Sequence, residues 1–459
     1  MSSVPTVPNS WLEDASGFRG YADRLLIPTT EEDVAAILKQ ATVEACPVTV
    51  SGAGTGVTGG RCAVGGAILS TDRFRHLEII DNVALAGAGV PLSDLHAAAG
   101  RRRLFYPPDP TEWTASVGGS IATNASGSRS FLYGSTRRWI RALTVALMDG
   151  SIRRFQRGEQ IDFPVAPLPA PRARKHTAGF HLREPFDWVD LFCGSEGTLG
   201  VVLEAELGLL AAPESLLTGV VFFPGVPEAL EAVELWRAIP QLRMLEYFDG
   251  HSLDLLRARY ADIPAGAGAA LLVEQILDGL EGDPLEEWLD RLVAADGLED
   301  SWFGDAPSDR ERFRVFRHTL PELVNERVRQ LGHGKLGTDF AVPVEQNRAM
   351  MDFYEENLRR EFGESYCIFG HIGDAHVHVN LLPGDRRQAE RAPSLLIEFA
   401  REAVRLGGTV SAEHGLGKKK AHLLPLEYSH EQIAAMCAVK RQLDPQWLLG
   451  RHTLLPVPC

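Results

Sequence analysis

A chain of 459 residues is too long for one ordinary domain, so two or three are expected. With 45% hydrophobic and 23% charged residues, its composition is that of a soluble globular protein. A net charge of -15 argues against nucleic acid and against an anionic membrane surface, but not against a small anion held in a locally basic site. No apolar run is long enough to span a bilayer, and the start MSSVPTVPNSWLEDASG lacks the basic flank and apolar core of a signal peptide. The six cysteines (Cys46, Cys62, Cys193, Cys367, Cys437 and Cys459) are scattered without a C-x-x-C. That pattern suits free thiols in a reducing cytoplasm and excludes an iron–sulfur cluster of the usual spacing.

In chain order, Thr29 or Thr30 can cap a helix beginning at Glu31, whose Val34, Ile37, Leu38 and Ala41 share one face. The β-branched run Pro47 to Val50 reads as a strand and leads into SGAGTGVTGG, Ser51 to Gly60. So many glycines let a ligand approach the backbone, and successive N–H groups make a concavity suited to phosphate or pyrophosphate. There is no Gly-Lys-Ser/Thr, which excludes a Walker loop. The following Ala63 to Leu69 reads as another strand, so the loop does not open a helix as a Rossmann fingerprint must. A ligand-free glycine hairpin is the alternative.

Ser93 to Ala99 reads as a short helix. A second small-residue segment follows, Pro107 to Pro110 and then Ser116 to Gly127; two such segments in one domain imply an extended ligand lying across both. Ile140 to Phe155 reads as a strand pair about the Asp149-Gly150 turn. Phe163 to Arg174 reads as an exposed loop, and Gly194 to Gly200 as a turn feeding a strand at Val201. Pro213 marks a domain boundary. Beyond it, strands at Gly219 to Phe223 and Ala270 to Gln275 alternate with helices at Glu228 to Ile239 and Pro284 to Ala295. This predicts an antiparallel sheet with helices on one face.

Two short strings then concentrate polar chemistry: GHIGDAHVHVN, residues 370–380, and SAEHGLG, residues 411–417. In a strand His376, His378 and Asn380 share a face, and His371 can fold back to them. With Glu413 they form a His/His/carboxylate set suited to a divalent metal such as zinc or manganese.

Taken together, SGAGTGVTGG, PPDPTEWTASVGGSIATNASG, GSEGTLGVV, GHIGDAHVHVN and AEHGLG resemble the FAD-linked oxidases of the vanillyl-alcohol oxidase and p-cresol methylhydroxylase superfamily. The branch is that of D-lactate dehydrogenase, the glycolate oxidase flavin subunit and D-2-hydroxyglutarate dehydrogenase. The resemblance runs from about Asp23 to Leu455 and implies an α+β fold. A two-subdomain FAD-binding domain would occupy 1–212, and an α+β cap domain with an antiparallel sheet and the metal site would occupy 213–425. Residues 426–459 would return to the FAD domain. Ser51, Gly52, Ala53, Gly54, Thr55, Gly56, Thr58 and Gly59 would hold the pyrophosphate. Pro108, Asp109, Ser116, Gly118, Gly119, Thr123, Asn124, Ser126, Gly127, Glu196, Gly197, Gly200 and Val202 would line the flavin and its tail. The FAD is expected to be noncovalent.

The same resemblance makes His371, His378 and Glu413 metal ligands, His414 the base and Asn380 a supporting polar residue. Arg317, Thr319 and Lys335 are its candidates for the substrate carboxylate. The family string reads Gly-Asn where this chain has Ala375-His376, which leaves open whether His376 adds a ligand or fills space. The implied reaction is oxidation of a small 2-hydroxy acid, D form, by hydride transfer to flavin. The acceptor stays open among oxygen, a quinone, an electron-transfer flavoprotein and an iron–sulfur subunit, with a homodimer among the assemblies. A cytoplasmic site is expected, with peripheral association at the inner membrane as the variant. Two rivals are a non-redox FAD enzyme of the ether-lipid synthase type and a metal hydrolase. The second lacks any H-E-x-x-H helix.

Overall fold

The computed structural model describes residues 7–455; Cys459 and the first six residues of the N-terminal stretch read above lie outside them. The expected first helix spans Glu31–Glu44. Thr30 Oγ1 accepts the Asp33 N–H at 3.1 Å while Asp33 Oδ2 accepts the Thr30 N–H at 3.2 Å, a reciprocal cap. The strand Val48–Ser51 lies parallel to Ala67–Ser70, which lies parallel to Arg24–Leu26. The glycine loop therefore joins two neighbouring parallel strands, and neither a hairpin nor a helix follows it.

A second sheet is antiparallel, in the order Leu77–Ile80, Val83–Gly87, Val201–Gly208, Ile140–Ala146, Ile152–Gln156. The segment from Ser116 to Gly127 is not all loop: Val117–Ala122 is a short helix capped by Ser116, whose Oγ accepts the Gly119 N–H at 3.3 Å. The chain's last described segment returns to the parallel sheet. The Val48 N–H donates to the Leu448 carbonyl, and the Gly450 N–H donates to that of Val48, each at 2.8 Å.

The third sheet has seven antiparallel strands, in the order Trp302–Gly304, Leu216–Phe223, Ala269–Ile276, Leu242–Asp249, Tyr366–Gly370, His378–Leu381, Leu336–Gly337. The expectation of helices on one face fails here. Leu217, Val221 and Phe223 enter one core with Trp236 and Trp288, while Val220 and Phe222 enter another with Phe313 and Phe316 of the helix Pro307–Leu331. Every residue of Leu216–Phe223 and Leu242–Asp249 is buried, so these strands read as continuous runs rather than alternations. Each fully buried large apolar side chain contributes about 1.5–3 kcal/mol relative to exposure, so both faces hold the sheet rigid.

No helix among the described residues is long and apolar enough to cross a membrane. Cys46, Cys62, Cys193 and Cys367 are free thiols. Cys437 is disulfide-bonded, which corrects the expectation of thiols throughout.

Candidate functional site

A cavity of about 370 Å³ opens between the parallel sheet and the five-stranded sheet. It is lined by the glycine loop, the short helix at Val117 and the turn at Glu196. Of the residues expected to hold the cofactor, all line it except Ser51, Gly59, Pro108, Asp109 and Asn124. Asp109 instead lines a neighbouring cavity of about 290 Å³. Gly59 donates its N–H to Asp14 Oδ2 at 2.9 Å, and Asn124 Oδ1 accepts the Arg137 N–H at 2.9 Å. Asp109 pairs with Arg129 at 2.8 Å.

The glycines are of two kinds. A Cβ on Gly127, at φ +151°, would fall 1.9 Å from the Asp109 carbonyl oxygen, so this glycine serves packing. A Cβ on Gly56 would meet nothing closer than Asp14 Oδ2 at 3.6 Å, so there the open space belongs to a ligand. A cradle of backbone N–H groups with open space above it fits a pyrophosphate. Its only lining histidine is His414, and it has no lining cysteine or tyrosine among the described residues.

At one end the cavity meets Glu413 and His414, which also line a second, smaller cavity of about 100 Å³. Glu413 stands at the junction. Its Oε2 accepts from Ser126 Oγ at 2.8 Å and from Lys175 Nζ at 2.9 Å. Its Oε1 faces His371 Nε2 at 3.1 Å and His378 Nε2 at 3.3 Å. Ligand atoms about 2.0–2.1 Å from a tetrahedral ion stand about 3.3 Å apart, so this spacing fits one zinc-sized ion.

The surrounding groups fix the ring tautomers. Glu246 Oε1 lies 2.6 Å from His371 Nδ1, and the Thr338 carbonyl 3.2 Å from His378 Nδ1. Each leaves Nε2 aimed at Glu413, the arrangement of a metal-bound imidazole with a carboxylate or carbonyl behind it. His376 is wholly buried and neither ring nitrogen has a hydrogen-bond partner, although Asp339 Oδ1 stands 3.2 Å from Nε2. A buried imidazole that faces only Asp339, and whose ligand atom clusters with those of His371, His378 and Glu413, fits a fourth ligand.

Burial opposes the charge on Glu413, but His371 and Lys175 hold its carboxyl well below the usual range. Burial also opposes the charge on Glu246, which Arg317 and His371 outweigh, so its carboxyl too lies below that range. His371 is raised: burial lowers it, and Glu246 and Glu413 outweigh burial. His414 is lowered to about 4, first by burial and against the pull of Asp339. Asp339 Oδ1 lies 3.5 Å from His414 Nδ1, and Asp339 Oδ2 accepts the His414 backbone N–H at 2.9 Å.

Arg317 reaches the small cavity. Its Nε donates to Glu246 Oε2 at 2.8 Å and its Nη1 to Thr111 Oγ1 at 3.0 Å. Thr319 and Lys335 are not brought to it. Thr319 Oγ1 donates to the Val315 carbonyl at 2.8 Å and lies 3.3 Å from the Tyr260 hydroxyl, and Lys335 is exposed before the strand Leu336–Gly337. Asn380 lines neither cavity; its Nδ2 donates to the His378 carbonyl at 3.3 Å.

Glu246, Asp339, Lys175 and Thr111 were not singled out from the sequence. A signal existed for Glu246, an acid in the middle of the mostly apolar strand LRMLEYFD. Lys175 follows directly on the loop Phe163 to Arg174 expected to be exposed. That loop has no regular element, yet its Leu168 and Ala173 are buried, as is Lys175.

A dinucleotide-sized trough meeting a small histidine-lined chamber defines a cofactor-dependent enzyme of two parts. The family described as FAD linked oxidases, C-terminal domain, matches residues 212–453, and the one described as FAD binding domain matches residues 22–156. The chain belongs to the FAD-linked oxidases and is an FAD-binding protein. It is 30% identical to D-2-hydroxyglutarate dehydrogenase of Xanthomonas citri pv. viticola over 439 residues, 93% of this chain and 88% of the relative. It is 30% identical to glycolate oxidase subunit GlcD of Bacillus subtilis over 449 residues, 94% and 89% of the two chains. With D-lactate dehydrogenase of Anaerostipes hadrus the figure is 28% over 444 residues, 93% and 88%. The solved structure of an alkyldihydroxyacetonephosphate synthase superposes with a TM-score of 0.65 at 15% identity, over 93% of this chain and 76% of that one, a likeness of fold alone.

Proposed function

We propose that the protein oxidises a small 2-hydroxy acid, D form, to the 2-oxo acid with noncovalent FAD and a divalent metal, zinc or manganese. The observation that carries this is the sharing of Glu413 and His414 between the large cavity and the small one. A reacting carbon in the small chamber would face the cofactor trough across these two residues. The relatives named for 2-hydroxy acids support the substrate class. The division into 1–212, 213–425 and 426–459 belongs to this reading.

When bound, FAD supplies the two-electron acceptor for the hydride, and the metal supplies a Lewis acid that lowers the hydroxyl pKa. His371, His378 and Glu413, joined by His376, would hold the metal. Arg317 would face the substrate carboxylate, kept in place by Glu246 and Thr111. His414 would take the hydroxyl proton at Nε2, because Asp339 faces Nδ1 and favours the proton there. The O–H proton thus goes to His414, the C–H pair leaves as hydride, and the C=O bond forms. Anaerobic stopped-flow mixing with a panel of 2-hydroxy acids should bleach the flavin. A flavin that none of them reduces rules the reaction out.

A further inference from the structure

The small cavity is lined by two chemically different sets of side chains. His371, His378, Glu413 and His414 form one, with Thr111, Glu246 and Arg317. Phe248, Pro321 and Phe369 form the other, an apolar wall with Gly370 beside it, and Phe369 packs edge-on against His378 at 6.4 Å between ring centroids. Arg317 is the one permanently charged cation among the described residues lining it, and its guanidinium is already bonded to Glu246 and Thr111. Pro321 lies four residues after Arg317 inside the helix Pro307–Leu331, so it offers no N–H to the Arg317 carbonyl. Nothing on the apolar wall can donate a hydrogen bond from a side chain.

We propose that this wall receives the substrate's own side chain, and that the substrate is a 2-hydroxy acid with one carboxylate and a short alkyl substituent. The proposal rests on the 2-hydroxy-acid reading above. Arg317 and the metal set account for the single carboxylate and the hydroxyl. The remaining substituent then faces Phe248, Pro321 and Phe369, where a methyl or ethyl group gains by leaving water. A second carboxylate there would lose its hydration, find no donor on those three side chains, and stand in a chamber that already holds Glu246 and Glu413. The volume of about 100 Å³ suits a short substituent. A further cavity of about 290 Å³ shares Thr111 and Arg317 with this one, so the Arg317–Thr111 bond lies between them. A longer acid would have to break that bond to extend into it.

The test is anaerobic flavin reduction by the full-length holoenzyme with achiral glycolate and with the separate enantiomers of lactate, 2-hydroxybutyrate, malate and 2-hydroxyglutarate. Lactate should exceed glycolate in kcat/KM by roughly 10-fold or more, the usual worth of one methyl group in an apolar pocket. The two dicarboxylates should fall about 100-fold or more below lactate, because a buried carboxylate there goes unpaired. Pro321→Arg places a cation on the apolar wall and a better helix former in the helix. It should raise the 2-hydroxyglutarate to lactate ratio by about 10-fold or more.

A wild-type enzyme that prefers a dicarboxylate or glycolate overturns the proposal while leaving the 2-hydroxy-acid reading intact. A yellow, folded Pro321→Arg protein with an unchanged ratio overturns the role of this wall. Failure of every acid to reduce the flavin overturns both.

Discussion

Glu196 holds Gly417 across the two halves of the molecule. Its Oε2 accepts the Gly417 N–H at 2.7 Å and its Oε1 the Leu416 N–H at 2.8 Å. The cofactor-side turn thus fixes the loop that carries Glu413 and His414. Burial pushes the Glu196 carboxyl up to about 7, against those two N–H donors and Lys418. A carboxyl raised on folding is still protonated in the folded chain where the unfolded one has ionised. The folded state therefore holds an extra proton between about pH 4.5 and about 7. The stabilisation is complete below the lower value and is lost as pH rises through the upper one. Glu196→Gln has no such titration, so its deficit in Tm against wild type should shrink between about pH 5 and about pH 8. Calorimetry of the apo-protein at the two pH values reads this directly, and a constant deficit would place the titration elsewhere.

Gly56 tests the cofactor cradle without disturbing the fold. A Cβ there clears all protein atoms by 3.6 Å, so Gly56→Leu should fold and fill the trough with its side chain. FAD affinity should fall by about 10-fold or more, since the pyrophosphate loses its closest approach. Titration of apo-protein with FAD checks it. Unchanged affinity would move the phosphate site away from this loop.

Lys175 is buried against Glu413, with Nζ 2.9 Å from Oε2. Lys175→Met leaves a buried carboxylate without its cation, a change that costs about 3–5 kcal/mol in comparable pairs. The Glu413 carboxyl is held low in part by Lys175, so its contribution is present above the ordinary carboxylate range and lost as pH falls. Removing the lysine raises that carboxyl and should move the acid-side loss of flavin reduction to higher pH. The pH profile of single-turnover reduction measures this. A profile unmoved in a folded variant would make Lys175 a packing residue only.

The metal set makes a prediction that separates His376 from Asn380. A chelator should remove activity while the protein stays yellow, because of the four ligands only Glu413 reaches the glycine trough. Zinc or manganese should restore it. His378→Ala should empty the site. His376→Ala removes one of the four ligands and should lower metal affinity by at least the roughly 10–100-fold that loss of an outer-shell partner costs, whereas Asn380→Ala should change it little. Elemental analysis after dialysis decides. Full occupancy in His376→Ala would leave that ring as filling.

The glycine loop, the capped helix at Glu31 and the turn at Asp149 were legible because each depends on residues adjacent in sequence. His371, His378 and Glu413 were legible because two short strings carry them. Lys175 and Glu246 were not, because both act only after distant segments meet: 238 residues separate Lys175 from Glu413, and 125 separate Glu246 from His371. The family resemblance points to Thr319, two residues after Arg317, for the substrate carboxylate. The helix turns it toward Tyr260 instead, two positions around from the arginine. Helices cover both faces of the large sheet because its central strands are buried at every position, a pattern that alternation cannot reveal.

His414 faces both cavities. Burial brings it down to about 4, and a cation beside it would lower it further. A histidine lowered on folding contributes stability that is lost as pH falls through the unfolded value near 6.5 toward 4. As a base it is neutral throughout that window, so flavin reduction should show no acid limb from His414 above about pH 5. His414→Ala should slow the reduction by about 10²–10⁴-fold, the usual worth of a positioned base. It should keep its FAD, and its metal content should fall less than that of His378→Ala. Asp339→Asn should reproduce part of the loss, since Asp339 faces Nδ1 and also binds the His414 backbone N–H. Single-turnover reduction under anaerobic conditions, with metal analysis of each variant, reads all of this. A His414→Ala protein that empties its metal site would make the ring a ligand. Near-normal reduction in a metal-replete one would remove it from the proton transfer.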